Sequence, residues 1–216
     1  MKTLILNGWA ASKAAWSLCG FAKDEDSRIL TYIEQLDGEA EKALDEAGKA
    51  IVVGWSMGGS SALRLAMTRP GKIKGLVLVA ATARMMEANN WSGMSERRLK
   101  AFEAGFKLTG GEGLFGTPEG RPNPYERDTD ERLARGLAYL KETDLRLGLI
   151  DLLSSGKAKF PVWIFQSEKD GIVRPENAKF LAAVFPQAKV EMISGTEHAL
   201  PVAIPERIDA AVRSIG

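Results

Sequence analysis

Three side chains in this chain can be assembled into an acyl-transfer centre: Ser56 within Gly54-Trp55-Ser56-Met57-Gly58, then Asp170, then His198, the single histidine. A serine hydroxyl is a weak nucleophile at neutral pH and needs a base within hydrogen-bond reach. With one imidazole in the chain, that base can only be His198. A carboxylate is then needed to orient the ring and stabilise the imidazolium, and Asp170 of Ser167-Glu168-Lys169-Asp170-Gly171 is the candidate. Glu168 competes for this role, whereas Asp144 and Asp151 come too early in the chain.

These residues need a scaffold that brings distant segments together. Short apolar runs at 3–6, 28–33, 50–54, 75–81, 161–166 and 189–193 alternate with helical patterns at 38–47, 57–67 and 175–185. Continuous apolar runs of this length read as strands buried on both faces. The class is therefore α/β, a mostly parallel doubly wound sheet of six strands. Ser56 falls between a strand and a helix, in the context that gives a G-x-S-x-G match mechanical meaning. Gly54 and Gly58 relieve a crowded turn, and the helix start directs its N–H groups and positive dipole end at the reacting oxygen. Asp170 follows the run at 161–166, and His198 follows the last one. The order serine, acid, histidine is that of α/β-hydrolases.

The oxyanion formed by serine attack needs backbone donors. The N–H of Met57, directly after the nucleophile, is one; the N–H of Trp9, in Asn7-Gly8-Trp9-Ala10 after the first strand, is the other. The Trp9 indole is expected to line the acyl pocket, and Trp163 to pack in the core. For Trp16, Trp55 and Trp91 the sequence does not separate the two roles.

Composition excludes other chemistry. Lys+Arg 29 against Asp+Glu 28 gives a net charge of +1, with no global field for nucleic acid or an anionic membrane. One cysteine, Cys19, rules out an internal disulfide, and one Cys with one His cannot form a thiolate–imidazole zinc site, so neither metal nor cofactor is expected. The apolar run before Gly8 is too short for a signal-peptide core or a membrane span, which makes the cytoplasm the expected location. Haloalkane dehalogenation is disfavoured, because it requires a carboxylate where Ser56 stands.

Residues 82–159 break the β-α rhythm. Helical runs at 95–108, 126–141 and 144–153 surround the Gly/Pro-rich stretch 110–124, expected to be the most mobile part. The expected division is a hydrolase core of 1–81 and 160–216, with 82–159 inserted as a helical lid over the carboxyl ends of the strands.

Asn7-Gly8-Trp9 with Trp16 downstream, Gly54-Trp55-Ser56-Met57-Gly58-Gly59, Leu140-Lys141-Glu142-Thr143-Asp144-Leu145-Arg146 and Asp170-Gly171-Ile172-Val173 together resemble the BioH-type pimeloyl-acyl-carrier-protein methyl ester esterases of biotin synthesis. The resemblance runs over most of the chain. It implies a triad of Ser56, Asp170 and His198, oxyanion donors at Trp9 and Met57, and hydrolysis of a methyl ester at the end of a pimeloyl chain carried on phosphopantetheine. It also implies an acidic acyl carrier protein as partner, for which Arg97, Arg98 and Lys100 are candidate contacts. Basic and acidic residues nearly balance over 82–159, so any docking patch is local, and beside Glu96 and Glu103 the same three side chains also read as a solvated helix face. Phe102 and Phe106, at i and i+4, are expected to face the acyl cavity. Two departures stand out: Asn7-Gly8 replaces the usual His-Gly, and the two leading strands common in the fold are missing, which leaves a minimal sheet with an open early edge. Two further readings stay in view, a carboxylesterase for small soluble esters and a non-catalytic hydrolase-fold binding protein.

Overall fold

A computed structural model of the chain describes residues 2–111 and 117–216. Among the described residues six strands form one sheet: β1 (Thr3–Leu6), β2 (Ser27–Leu30), β3 (Ala50–Trp55), β4 (Ile73–Val79), β5 (Val162–Ser167) and β6 (Lys189–Ile193). Their order is β2-β1-β3-β4-β5-β6, and every neighbouring pair is parallel. Parallel pairs need long crossovers, which here carry α1 (Tyr32–Leu36), α2 (Glu39–Ala47), α3 (Met57–Thr68), α4 (Glu96–Thr109), α5 (Asp130–Glu142), α6 (Arg146–Ser154) and α7 (Glu176–Val184). After β6, α8 (Leu200–Ala203) and α9 (Pro205–Ile215) close the chain. No helix among the described residues is long and apolar enough to cross a membrane.

Successive strand residues point to opposite faces, so the sheet feeds two apolar clusters. Ile5, Ile51, Val53, Val77 and Phe165 join Trp16, Phe21, Ile208 and Val212 in one. Leu4, Leu6, Val52, Leu76, Leu78 and Ile164 join Leu44, Leu63, Leu149 and Leu181 in the other. β1 and β3 are buried throughout, as continuous apolar runs require. β6 departs from that expectation, with Lys189, Val190 and Met192 exposed, because it is an edge strand with a neighbour on one side only.

Several boundaries move for identifiable reasons. The run expected as a strand over 28–33 ends at Leu30, because Thr31 caps α1 through a capping box: its hydroxyl accepts from the Glu34 N–H while Glu34 Oε2 accepts from the Thr31 N–H at 2.7 Å. Tyr32 and Ile33 are consequently helical. The helix expected from 126 begins at Asp130, capped by Thr129, because residues 124–126 pair with the loop after β1. Ser12 N–H donates to the Pro124 carbonyl at 2.9 Å, and Glu126 N–H to the Ala10 carbonyl at 3.0 Å.

The segment between β4 and β5 does not pack as one piece. Leu99 and Phe106 of α4 and Leu133, Leu137 and Leu140 of α5 belong to the cluster that includes Trp9 and Trp55. Leu149 and Leu152 of α6 belong to the opposite cluster, where α6 packs on α3 and α7. Between them the chain is pinned to the end of β4: Leu145 N–H donates to the Ala83 carbonyl at 2.9 Å, and Arg84 reaches Asp144 at 2.6 Å. The guanidinium of Arg146, together with that of Arg84, holds the Asp144 carboxyl well below the usual carboxylate range. Of the stretch 110–124 expected to be mobile, residues 112–116 lie outside the described residues.

Candidate active site

Ser56 occupies the turn between β3 and α3 with φ 55 and ψ −117, a left-handed conformation rarely held by a residue with a Cβ. The turn is possible because its neighbours are glycines. A Cβ on Gly58 would strike the Leu6 carbonyl, and one on Gly54 would strike the Gly58 carbonyl. The serine is thereby held at the amino end of α3, where the first N–H groups of a helix have no acceptor within it. Met57 occupies the first of these positions.

The loop after β5 supplies the carboxylate. Asp170 Oδ1 accepts the N–H groups of Ile172 at 2.8 Å and Val173 at 2.9 Å, which fixes the plane of the carboxylate. Its Oδ2 then meets His198 Nδ1 at 2.8 Å. His198 Nε2 lies 2.9 Å from Ser56 Oγ, so the three side chains form one relay. All three are nearly sealed from solvent, at 3% exposure for Asp170, 4% for His198 and 8% for Ser56. Glu168, the competing acid, is exposed, and its N–H is paired with the Ile193 carbonyl at 2.9 Å.

Further contacts hold the imidazole. Trp55 Nε1 donates to the His198 carbonyl at 3.1 Å, and the two rings lie 5.7 Å apart. Gln166 Nε2 reaches Asp170 Oδ2 at 3.3 Å and the Val173 carbonyl at 3.0 Å, bracing the acid loop. A glutamine inside an apolar strand was a visible signal for such a role, because buried polar side chains are rare.

Asn7, the departure from the usual His-Gly, is fully buried and shapes the loop that carries Trp9. Its Nδ2 donates to the Ser12 carbonyl at 3.0 Å and its Oδ1 accepts from Trp16 Nε1 at 2.6 Å. Trp16 therefore braces that loop. Trp9 Nε1 donates to the Leu133 carbonyl of α5 at 2.9 Å, a close approach permitted by Gly136. Trp91 lies outside the site, edge-on to Phe180. Trp163, expected in the core, is half-buried at its edge, stacked on Phe165 and with Lys189 Nζ over its ring 4.7 Å from the centre.

Gly8, Trp9, Trp55, Ser56, Phe102, Tyr125 and His198 line a small cavity of about 10 Å³ at the serine, together with Met85, Leu140 and Ile172. That is room for about one water molecule. Phe102, on α4, is among the lining residues. Phe106 is not among them: it packs on Trp9 with the rings tilted and their centres 4.7 Å apart, one helical turn further along α4. Tyr125 went unrecognised, since it sits in an aperiodic segment; burial pushes its phenol well above the ordinary range, with the Asp170 charge adding to the shift. Arg97, Arg98 and Lys100 are exposed on α4, and Arg98 Nη2 donates to the Gly171 carbonyl at 2.8 Å.

Comparison with known proteins agrees with this architecture. A pimeloyl-[acyl-carrier protein] methyl ester esterase from Nitrosospira multiformis is 27% identical over 180 residues, covering 75% of this chain and 66% of the relative. One from Vibrio parahaemolyticus is 25% identical over 231 residues, covering 91% of this chain and 86% of the relative. Among solved structures, an esterase from Exiguobacterium antarcticum matches with a TM-score of 0.77 at 16% identity, covering 100% of this chain and 92% of that one. The enol-lactonase from Burkholderia xenovorans matches with a TM-score of 0.73 at 18% identity, covering 99% and 90%. The family model described as "Alpha/beta hydrolase family" matches residues 6–211, and with the parallel sheet and the serine turn already in place, this chain belongs to the α/β-hydrolase family.

Proposed function

We propose that this chain is a serine ester hydrolase whose substrate is the methyl ester of a pimeloyl chain borne on an acyl carrier protein. The observation that carries the reading is the unbroken relay from Asp170 through His198 to Ser56, with contacts of 2.8 and 2.9 Å. Ser56 Oγ attacks the ester carbonyl as His198 Nε2 takes its proton, and the N–H groups of Met57 and Trp9 receive the oxyanion. His198 returns the proton to the departing methoxide, which leaves as methanol. Water, deprotonated by the same imidazole, then releases the free carboxylate and restores Ser56. The identity of the curated relatives supports the choice of ester.

In this reading α4 and α5 act as the lid, and Arg97, Arg98 and Lys100 meet the acidic carrier. A second reading, a carboxylesterase for small soluble esters, is favoured by the small size of the cavity, about 10 Å³. The test is covalent labelling by a fluorophosphonate followed by competition in one assay. Labelling at Ser56 that Ser56→Ala abolishes is expected, together with preference for the pimeloyl-carrier methyl ester over methyl butyrate. A chain that resists labelling while folded is a non-catalytic hydrolase-fold binder, and preference for methyl butyrate selects the second reading.

A further inference from the structure

Ester hydrolysis at Ser56 needs room on two sides, one for the acyl chain and one for the alcohol that His198 Nε2 protonates as it departs. The cavity at the serine measures about 10 Å³, and a void that small brings all of its walls close to one point. A lining side chain packed among the surroundings of the imidazole therefore stands on the alcohol side. Ile172 and Tyr125 meet that condition. Ile172 belongs to the acid loop, its N–H bonded to Asp170 Oδ1 at 2.8 Å. The Tyr125 ring centre lies 5.6 Å from that of Trp55, which in turn is 5.7 Å from the His198 ring. The phenol of Tyr125 is raised first by burial and then by the Asp170 charge, which agrees with a place on that side.

Tyr125 meets the cavity with its ring, because its oxygen is sealed among protein atoms. The backbone on either side holds that ring to the core. Ser12 N–H donates to the Pro124 carbonyl at 2.9 Å, Glu126 N–H donates to the Ala10 carbonyl at 3.0 Å, and Ala11 and Tyr125 form an antiparallel bridge. Asn123 Oδ1 accepts the Tyr125 N–H at 3.1 Å. These bonds tie Tyr125 to the loop that carries Trp9 and not to α4. In the proposed reading the ring keeps its place when α4 lifts, and since the ties are made by the backbone of residues 124–126, a change of side chain at 125 leaves them intact.

We propose that the Tyr125 ring is the alcohol-side wall of the site and restricts this chain to esters of the smallest alcohols, methyl foremost, whatever the acyl part. Room for about one water molecule is close to the size of a methyl group and excludes a butyl chain. Acyl room depends on a helix that moves, whereas alcohol room is set by a ring fixed to the loop after β1. The inference rests on the serine-esterase reading and deepens it, by naming the residue that selects the alcohol.

The test takes four substrates, the methyl and butyl esters of pimeloyl-carrier and of butyrate, and measures kcat/KM for the whole chain and for Tyr125→Phe, Tyr125→Leu and Tyr125→Ala, with circular dichroism to show that each is folded. The parent should favour methyl over butyl by at least about tenfold with the same acyl group, the effect of extra methylenes on a fitted pocket. Tyr125→Phe, which keeps the ring, should hold that ratio within about twofold; Tyr125→Leu should lower it about threefold and Tyr125→Ala about tenfold. The ratio between the two methyl esters should change less than about twofold in all three. Tyr125→Leu carries the test if the alanine variant does not fold. A parent indifferent to alcohol size, a methyl-to-butyl ratio lost in Tyr125→Phe or unmoved in a folded truncation, or an equal change between the two acyl groups overturns this inference and leaves the serine-esterase reading standing. A folded parent inert to all four esters overturns that reading, and this inference with it.

Discussion

Arg98 of α4 donates from Nη2 to the Gly171 carbonyl at 2.8 Å, one residue beyond the carboxylate that orients His198. One exposed side chain thereby ties the helix that covers the serine to the loop that holds the acid. In the proposed reading α4 moves to admit an acyl chain to the small cavity beneath, about 10 Å³, and this hydrogen bond breaks.

Arg98→Ala should therefore raise the rate at which a bulky fluorophosphonate labels Ser56 by about threefold to tenfold, while a small one gains less. Unfolding free energy should change by less than about 1 kcal/mol, because the side chain is exposed. Gel-based labelling time courses check this; equal acceleration for both probes, or none, would show that α4 is not held by Arg98.

Asp170→Asn preserves the size of the side chain but cannot stabilise an imidazolium, and it invites the wrong tautomer of His198. Turnover of a p-nitrophenyl ester should fall by about four orders of magnitude with the melting temperature nearly unchanged. A loss of less than tenfold would remove Asp170 from the mechanism.

Asn7→Ala strips the loop after β1 of its internal support. Trp16 Nε1 loses its 2.6 Å acceptor in a fully buried setting, which costs about 1–3 kcal/mol, read by urea unfolding. Ester turnover should fall with it, since the same loop carries Trp9. Asn7→Asp keeps the acceptor for Trp16 but sets a buried carboxylate oxygen against the Ala11 and Ser12 carbonyls, so it should not recover the stability; an Ala variant as stable as the parent contradicts the bracing role.

Acid should act through Asp45. The Arg69 and Lys72 partners lower its carboxyl from the ordinary 3.8 to about 2. A carboxyl depressed in the folded state contributes stability that is fully present above its unfolded value and disappears as pH falls through the folded value. Thermal melts should show a decline between about pH 4 and pH 2 that is shallower in Asp45→Asn. The effect is small because the group is on the surface; identical slopes would assign the acid loss to other carboxylates.

How far the sequence reached can be judged residue by residue. The turn at Ser56 was legible because it is local: Gly54 and Gly58 must be glycine to let β3 turn directly into α3. The sheet was legible because burial on both faces writes itself as an unbroken apolar run, true of β1 and β3 and untrue of β6 at the edge. The end of β2 was misjudged because Tyr32 and Ile33 suit a strand, and the capping box of Thr31 and Glu34 overrode that preference.

Chain order and the scarcity of histidine fixed which residues could form a relay: with a single imidazole, Ser56 and Asp170 had one partner to share. Whether they met was decided by tertiary structure, since 142 residues separate Ser56 from His198 and only the parallel sheet returns both to the same edge. The split of the β4–β5 segment between two faces, the tie from Arg98 to Gly171, and Phe106 packed on Trp9 rather than at the cavity were likewise decided there. Each depends on contacts between segments far apart in the chain, and periodicity records which face of an element is apolar without recording what that face will touch.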